Sequence, residues 1–340
     1  MLQPGEPTSR PVDSHSARGI EGPAFAAILG DDPDLVRAKR MVARFAPTPL
    51  PLLLLAETGT GKELFARATH AASARPAGPF VALNCGALAP GLLESELFGH
   101  APGAFTGALR AGSTGKLAAA DGGTLFLDEI AEMPEGLQAT LLRVLEDGSY
   151  YRVGEARTRK CDFRLICATC RDLPALVQTG RFRRDLFFRI QGACVTIPPL
   201  RARADRLVLA RGLLTQLAAE SAVRRPELKG DAVAWILEHD WPGNVRELKS
   251  ALTHALVMAE GAPEIDADCF PQVILRDSMS PPSRDPDSTP CSSTRKRDEL
   301  FRDAILAALK ESEGNVSEAA RRLGVARSTL YRRIPHLAKA

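Results

Sequence analysis

The sequence has no long hydrophobic run. Its longest aliphatic stretch, Leu52 to Leu55, is far too short to cross a bilayer, and no basic-then-apolar leader opens the chain. These absences predict a protein that is neither membrane-bound nor secreted. Cysteine pairing is missing as well: the 7 cysteines are an odd number at irregular spacings, and the single CxxC, Cys167 and Cys170, has no second pair. That fits neither a disulfide framework nor a zinc site and favours a reducing cytoplasm. Nor does one sign of charge dominate, since 44 Lys and Arg face 41 Asp and Glu for a net charge of +3. Such a balance permits nucleic-acid binding and argues for it only where basic residues cluster. No internal repeat is visible.

What is present is ordinary globular chemistry in several pieces: 340 residues, 45% hydrophobic and 25% charged. Residues 1–22 mix Pro, Gly, Ser and charge without apolar periodicity, which predicts a disordered tail. Residues 273–296 carry Ser280, Pro281, Pro282, Ser283, Pro286, Ser288 and Pro290 and almost no large apolar side chain, the composition of a flexible linker. Within 23–203, short apolar runs at 52–55, 124–127, 165–168 and 195–197 alternate with amphipathic helical stretches. That alternation predicts an α/β unit with a parallel sheet covered by helices. Residues 204–272 read as a helical subdomain, and 297–340 as a small all-α unit.

The 52–55 run is followed by Ala56-Glu57-Thr58-Gly59-Thr60-Gly61-Lys62-Glu63 and a helical pattern through His70. Strand, Gly-rich turn, Lys and helix are the context a phosphate-binding loop requires. Backbone N–H groups and the helix N-terminus converge on the phosphates, and Lys62 reaches the outer ones. The strict pattern fails at Ala56, where a Gly belongs, and at Glu63, where a magnesium-binding Ser or Thr belongs. Alone, the segment therefore also fits a plain strand-turn-helix. A second element favours the phosphate loop: Gly122-Gly123-Thr124-Leu125-Phe126-Leu127-Asp128-Glu129 is an apolar strand ending in two carboxylates. A nucleotidase needs such a pair, Asp128 to hold magnesium and Glu129 to polarise the attacking water.

With these residues the chain resembles the AAA+ ATPases that activate sigma-54 RNA polymerase, from about Ile28 to Ala340. That family's loop ends Gly-Lys-Glu, so Glu63 is regular and Ala56 is the departure. Most specific is Gly103-Ala104-Phe105-Thr106-Gly107-Ala108, an intact copy of the hexapeptide that defines the family. Glu94-Ser95-Glu96-Leu97-Phe98-Gly99-His100 matches beside it. By chemistry alone a Gly-flanked Phe-Thr is a bendable loop with an apolar tip. The resemblance implies that it touches sigma-54.

The resemblance also implies ATP and Mg2+ as cofactors and assigns further residues. Glu57, Thr58, Gly59, Thr60, Gly61, Lys62 and Glu63 surround the nucleotide. Asn84 matches the switch residue that links the acidic pair to the loop. Arg183 and Arg189, within Gly180–Arg189, match arginines that reach a neighbouring subunit's ATP, which implies a homo-oligomeric ring. Without the resemblance each is a surface arginine in an ordinary ion pair. Arg246, in Trp241-Pro242-Gly243-Asn244-Val245-Arg246-Glu247-Leu248, matches an arginine that senses nucleotide from the helical subdomain. On its own that segment is a turn and a helix start. Thr169 and Cys170 fall at a sensor strand, with Cys170 in place of the Asn often found there. The stretch Ile166-Cys167-Ala168-Thr169, then Arg171-Asp172-Leu173, and Gly115-Lys116 are similar to the acetoin- and glycerol-type regulators. Their long N-terminal sensory region is not expected here, because the resemblance already begins near Ile28.

At the C-terminus, 315–323, then Gly324-Val325-Ala326, then 327–334 read as helix, tight turn and helix, with Ser317 as cap. From Ala319 onward Arg321, Arg322, Arg327, Arg332, Arg333 and Lys339 meet no acidic residue, an electrostatic footprint for phosphate. The plain alternative is a solvated basic face. The unit resembles a Fis-type helix-turn-helix, with Arg327, Ser328, Thr329, Tyr331, Arg332 and Arg333 expected at double-stranded DNA. Three functions remain to be weighed. One is an ATP-driven remodeller of sigma-54 RNA polymerase; another is a nucleotide-responsive DNA regulator whose hydrolysis Ala56 and Cys170 have weakened; the last is a chaperone or replication factor. The intact hexapeptide together with Asp128-Glu129 favours the first.

Overall fold

The computed structural model describes residues 22–104 and 111–271. The expected linker and helix-turn-helix lie outside the described residues, as do residues 1–21 of the expected tail.

Helix α1 (Pro33–Phe45) starts where the chain can satisfy its own N–H groups. Asp32 Oδ1 accepts from the N–H groups of Asp34 and Leu35 at 3.0 and 3.2 Å, and Pro33 takes the first helical position, which needs no donor. Strand β1 (Leu52–Leu55) and helix α2 (Lys62–Ala71) follow, then β2 (Phe80–Asn84), α3 (Pro90–Phe98) and α4 (Gly115–Ala119). Next come β3 (Thr124–Asp128), α5 (Glu135–Asp147) and a small hairpin of β4 (Ser149–Tyr150) with β5 (Arg159–Lys160). Strand β6 (Arg164–Thr169), helices α6 (Leu173–Gln178) and α7 (Arg184–Ile190) and strand β7 (Ala193–Thr196) complete the α/β part.

Strands β2, β3, β6, β1 and β7 form one parallel sheet in that order. Parallel neighbours need crossovers, and crossover helices cover both faces, so the inner strands read as unbroken apolar runs. Along β1, Leu53 packs with Leu93, Leu97 and Leu141 on one face, while Leu52 and Leu54 pack with Leu35, Val42 and Phe65 on the other. The four expected strands are all present, the last shifted to Ala193–Thr196. Strand β2 was not expected. It is one edge of the sheet, with only Leu83 buried, although Phe80-Val81-Ala82-Leu83 is itself a short apolar run.

Beyond β7 the chain turns through Leu200–Ala202 into α8 (Arg206–Glu220), β8 (Glu227–Leu228), α9 (Gly230–Glu238), α10 (Asn244–Met258) and β9 (Glu264–Ile265). The helical pattern expected after Ala204 is present, with β8 and β9 as an added two-stranded parallel pair. Its core gathers Leu209, Leu213, Ile236, Leu248 and Leu252 around Trp241. A buried network ties this lid to the sheet unit. Arg203 donates twice to Asp205, at 2.8 Å from both Nε and Nη2, and Asp205 also accepts the N–H groups of Asp31 and Asp32. Asp32 returns the contact by accepting Ala204 N–H at 2.9 Å. No helix among the described residues is long and apolar enough to cross a membrane.

Candidate nucleotide-binding site

The strand order brings the chemistry together. Strand β6 lies between β1 and β3, so the loop after β1 and the carboxylates after β3 face each other across the end of β6, at the carboxyl edge of the sheet. Lys62, the first residue of α2, reaches over that gap. Its Nζ forms a short ion pair with Glu129 Oε1 and lies 3.5 Å from Asp128 Oδ1, although Lys62 is only 6% exposed. Just beyond the end of β6, Cys170 donates its N–H to Glu129 Oε2 at 3.3 Å. Glu129 is held in the left-handed region at φ 51°, a conformation that persists only where the surroundings impose it.

These contacts fix the carboxylate's charge. Burial pushes the Glu129 carboxyl up, but the hydrogen bond and charge of Lys62, with the Cys170 N–H, outweigh it and hold Glu129 below the usual carboxylate range. The nearby thiols move the other way: burial and the two carboxylates push Cys85 up to about 12, and burial with the Glu129 charge raises Cys170. Neither is a ready nucleophile. All described cysteines are free.

The loop has the shape a polyphosphate needs. Gly59 and Gly61 lie at φ 83° and 100°, where an L side chain is strained, and Thr60 Oγ1 closes the turn onto the Glu57 carbonyl at 2.8 Å. A Cβ on Gly61 would meet only Leu64 Cδ1, at 3.8 Å. Ala56, buried, donates its N–H to the Thr169 carbonyl at 3.1 Å and continues the β1–β6 ladder. Among the described residues no cluster of three or more His, Cys, Asp or Glu could cage a metal. A single strand-end carboxylate suits Mg2+, which binds through one or two carboxylates together with substrate phosphates.

The other sequence-assigned residues divide. Asn84 pairs with Asp128 in register and its Nδ2 donates to Asp128 Oδ2 at 3.4 Å, so it joins the centre. Thr169 is buried beside it, its hydroxyl accepting the Arg171 N–H. Glu63 points elsewhere, paired with Arg67 at 2.7 Å on the exposed side of α2. Arg246 lies at the start of α10 and its N–H donates to the Gly59 carbonyl at 3.2 Å. Arg183 and Arg189 contact neither carboxylate. Arg183 is exposed and pairs with Asp185, at 3.0 Å from Nε and 2.6 Å from Nη2, and Arg189 donates to the Leu145 carbonyl at 2.5 Å. Gln138 anchors that segment by accepting Arg183 N–H at 2.8 Å.

Gly103 and Ala104 stand on a stem in which His100 bridges both Ser113 and Val153. Phe105, Thr106, Gly107 and Ala108 lie outside the described residues. So do Arg327, Ser328, Thr329, Tyr331, Arg332 and Arg333. Sequence reasoning overlooked Asn244 and Arg201, which grip Glu57, and the Arg203–Asp205 pair. An Asp followed by Pro at residues 32–33 was the one local signal that could have marked this junction.

A parallel sheet with a Gly-Lys loop, a strand-end acidic pair and a helical lid defines an AAA+ nucleotide-binding module. Family models agree: the Sigma-54 interaction domain matches residues 28–196, the AAA+ ATPase lid domain 201–286, and the Fis family of bacterial regulatory proteins 298–335. The chain is 44% identical to the acetoin catabolism regulatory protein of Cupriavidus necator, over 92% of this chain and 47% of that protein. It is 40% identical to the transcriptional regulatory protein ZraR of Escherichia coli, over 92% of this chain and 70% of ZraR. The crystal structure of NtrX from Brucella abortus in complex with ATP matches with a TM-score of 0.67 and 30% identity, covering 91% of this chain and 69% of NtrX. The chain belongs to the family of sigma-54-interacting transcriptional regulators, and it spans about half the length of its acetoin-regulator relative.

Proposed function

We propose that this protein is a sigma-54-dependent transcription activator that holds enhancer-like DNA and hydrolyses ATP to remodel sigma-54 RNA polymerase for open-complex formation. The observation that carries the proposal is the convergence of Lys62, Asp128 and Glu129 under the Gly59–Gly61 loop, in a chain that also holds the hexapeptide at 103–108. Relatives named as regulators of transcription, and an NtrX structure with bound ATP, support it.

In this reading the loop N–H groups bind the phosphates and Lys62 exchanges Glu129 for phosphate oxygens. Glu129, freed and ionised, takes the proton of the attacking water. Asp128 would hold Mg2+, which would supply charge neutralisation on the outer phosphates. Asn84 ties Asp128 to β2 and reports the exchange along that strand. Arg246 approaches the nucleotide from the lid. Arg183 and Arg189, exposed and with their side chains bonded to Asp185 and the Leu145 carbonyl, would complete the site of a neighbour in a homo-oligomeric ring. The domains follow the boundaries 23–203, 204–272, a linker at 273–296 and a DNA-binding unit at 297–340. A DNA-bound regulator of this kind works in the cytoplasm.

In vitro transcription from a sigma-54 promoter tests the proposal with Thr106→Ala, which lies in the sequence outside both phosphate-binding elements. ATPase activity and DNA binding should stay close to native while open-complex formation is lost. Full open-complex formation by the variant would rule the remodelling reading out.

A further inference from the structure

One asparagine joins the hinge, the phosphate-binding loop and the lid. Asn244, the first residue of α10, is completely buried and sits in the left-handed region at φ 54°. Its Oδ1 accepts the Leu200 N–H at 2.8 Å, and its Nδ2 donates to the Thr58 carbonyl at 3.0 Å and to Glu57 Oε2 at 3.2 Å. Arg201, next to Leu200 in the turn between β7 and α8, donates to both Glu57 oxygens at 2.7 and 2.5 Å. The Gly243 carbonyl lies so close to Gly59 that no side chain could be built there. Residues 57–59 are thus held from the lid side by a side-chain amide, a guanidinium and backbone.

We infer that Asn244 is a positioning residue for nucleotide binding, fixing residues 57–59 in the conformation that presents the loop to phosphates and making nucleotide affinity depend on the lid. The inference rests on the nucleotide-binding reading above. A lid turning about Leu200 must either carry Thr58 with it or break the bonds of Asn244. Because such coupling is reciprocal, a nucleotide that orders the loop also orders the lid. The amide matters for its charge pattern as well as its shape. It donates to a carboxylate whose ionisation is favoured first by the Arg201 hydrogen bonds and then, against burial, by Asn244 itself. A carboxylate in its place would face Glu57 at hydrogen-bond distance, where two negative charges repel.

The test is calorimetric titration of ADP and ATP into full-length native protein, Asn244→Asp, Glu57→Gln and the double variant. Asn244→Asp should weaken both nucleotides about tenfold or more, the scale of a lost hydrogen bond to a charged group. Adding Glu57→Gln should restore part of that loss, because the new amide can donate back to the new carboxylate while the bond to the Thr58 carbonyl stays lost. A merely structural role would leave the two losses independent. Affinity within about twofold of native, or no restoration, would overturn the inference. If Asn244→Asp does not fold, Arg201→Gln reads the same grip from a half-exposed position. Its expected loss of about threefold should vanish in the Glu57→Gln background, and equal losses in both backgrounds would overturn the inference. Failure of the native protein to bind either nucleotide would instead overturn the functional reading, and the inference with it.

Discussion

Lys62 finds its partner 67 positions along the chain, and Arg183 finds its partner 2 positions away. The first pairing is buried and spans three strands of the sheet, so folding alone assembles it. The second is exposed and local, which leaves its guanidinium near the surface with a partner it can surrender at little cost. The difference separates two kinds of cation in the proposed mechanism. One is preorganised inside a single subunit, and the other, in the proposed ring, would serve a neighbour's site.

The comparison breaks first at Lys62. Lys62→Ala should abolish measurable ATP binding, because the phosphates lose the buried cation closest to them and meet Asp128 and Glu129 unscreened. Unchanged affinity in a nucleotide titration would refute the site. Arg183→Ala sharpens the contrast: hydrolysis should fall about a thousandfold while ATP affinity stays within about threefold, since the guanidinium acts in the transition state of a neighbour. Steady-state ATPase assays beside equilibrium binding separate the two effects.

The smallest effect concerns stability. Asp205→Asn should destabilise the protein by about 3 kcal/mol at neutral pH, the scale for breaking a buried ion pair by removing one partner. Burial raises the Asp205 carboxyl, but the Arg203 hydrogen bonds and the Asp31 and Asp32 N–H groups outweigh it and hold it below the usual range. A depressed carboxylate contributes fully above its unfolded pKa of about 3.9 and loses that contribution as pH falls through the folded value. Denaturation at pH 7 and below pH 4 should therefore show the gap between native and variant closing on acidification.

What was legible in the sequence was local in the chain. Strands β1, β3 and β6 lie inside a sheet covered on both faces and showed themselves as apolar runs, and with them came the Gly-Lys loop and the acidic pair. Strand β2 was overlooked although Phe80-Val81-Ala82-Leu83 is an apolar run, and Asn84 was found only by resemblance. Its register with Asp128 is a property of the sheet. Asn244 read as turn chemistry because its bonds to Glu57 and Thr58 cross more than 180 positions, and no local pattern encodes them. Arg203 and Asp205 were overlooked, since their other partners sit at residues 29–32, far away in the chain.

The claim that Lys62 and Glu129 act within one subunit while Arg183 acts on the next is tested most directly by mixing. Glu129→Gln and Arg183→Ala proteins should each be almost inactive alone, the first for want of a base and the second for want of a neighbour's cation. Mixed rings contain junctions where a native Glu129 site meets a native Arg183, so ATPase activity should return and peak near equal amounts of the two. No recovery at any mixing ratio, from proteins that still assemble together, would contradict the account.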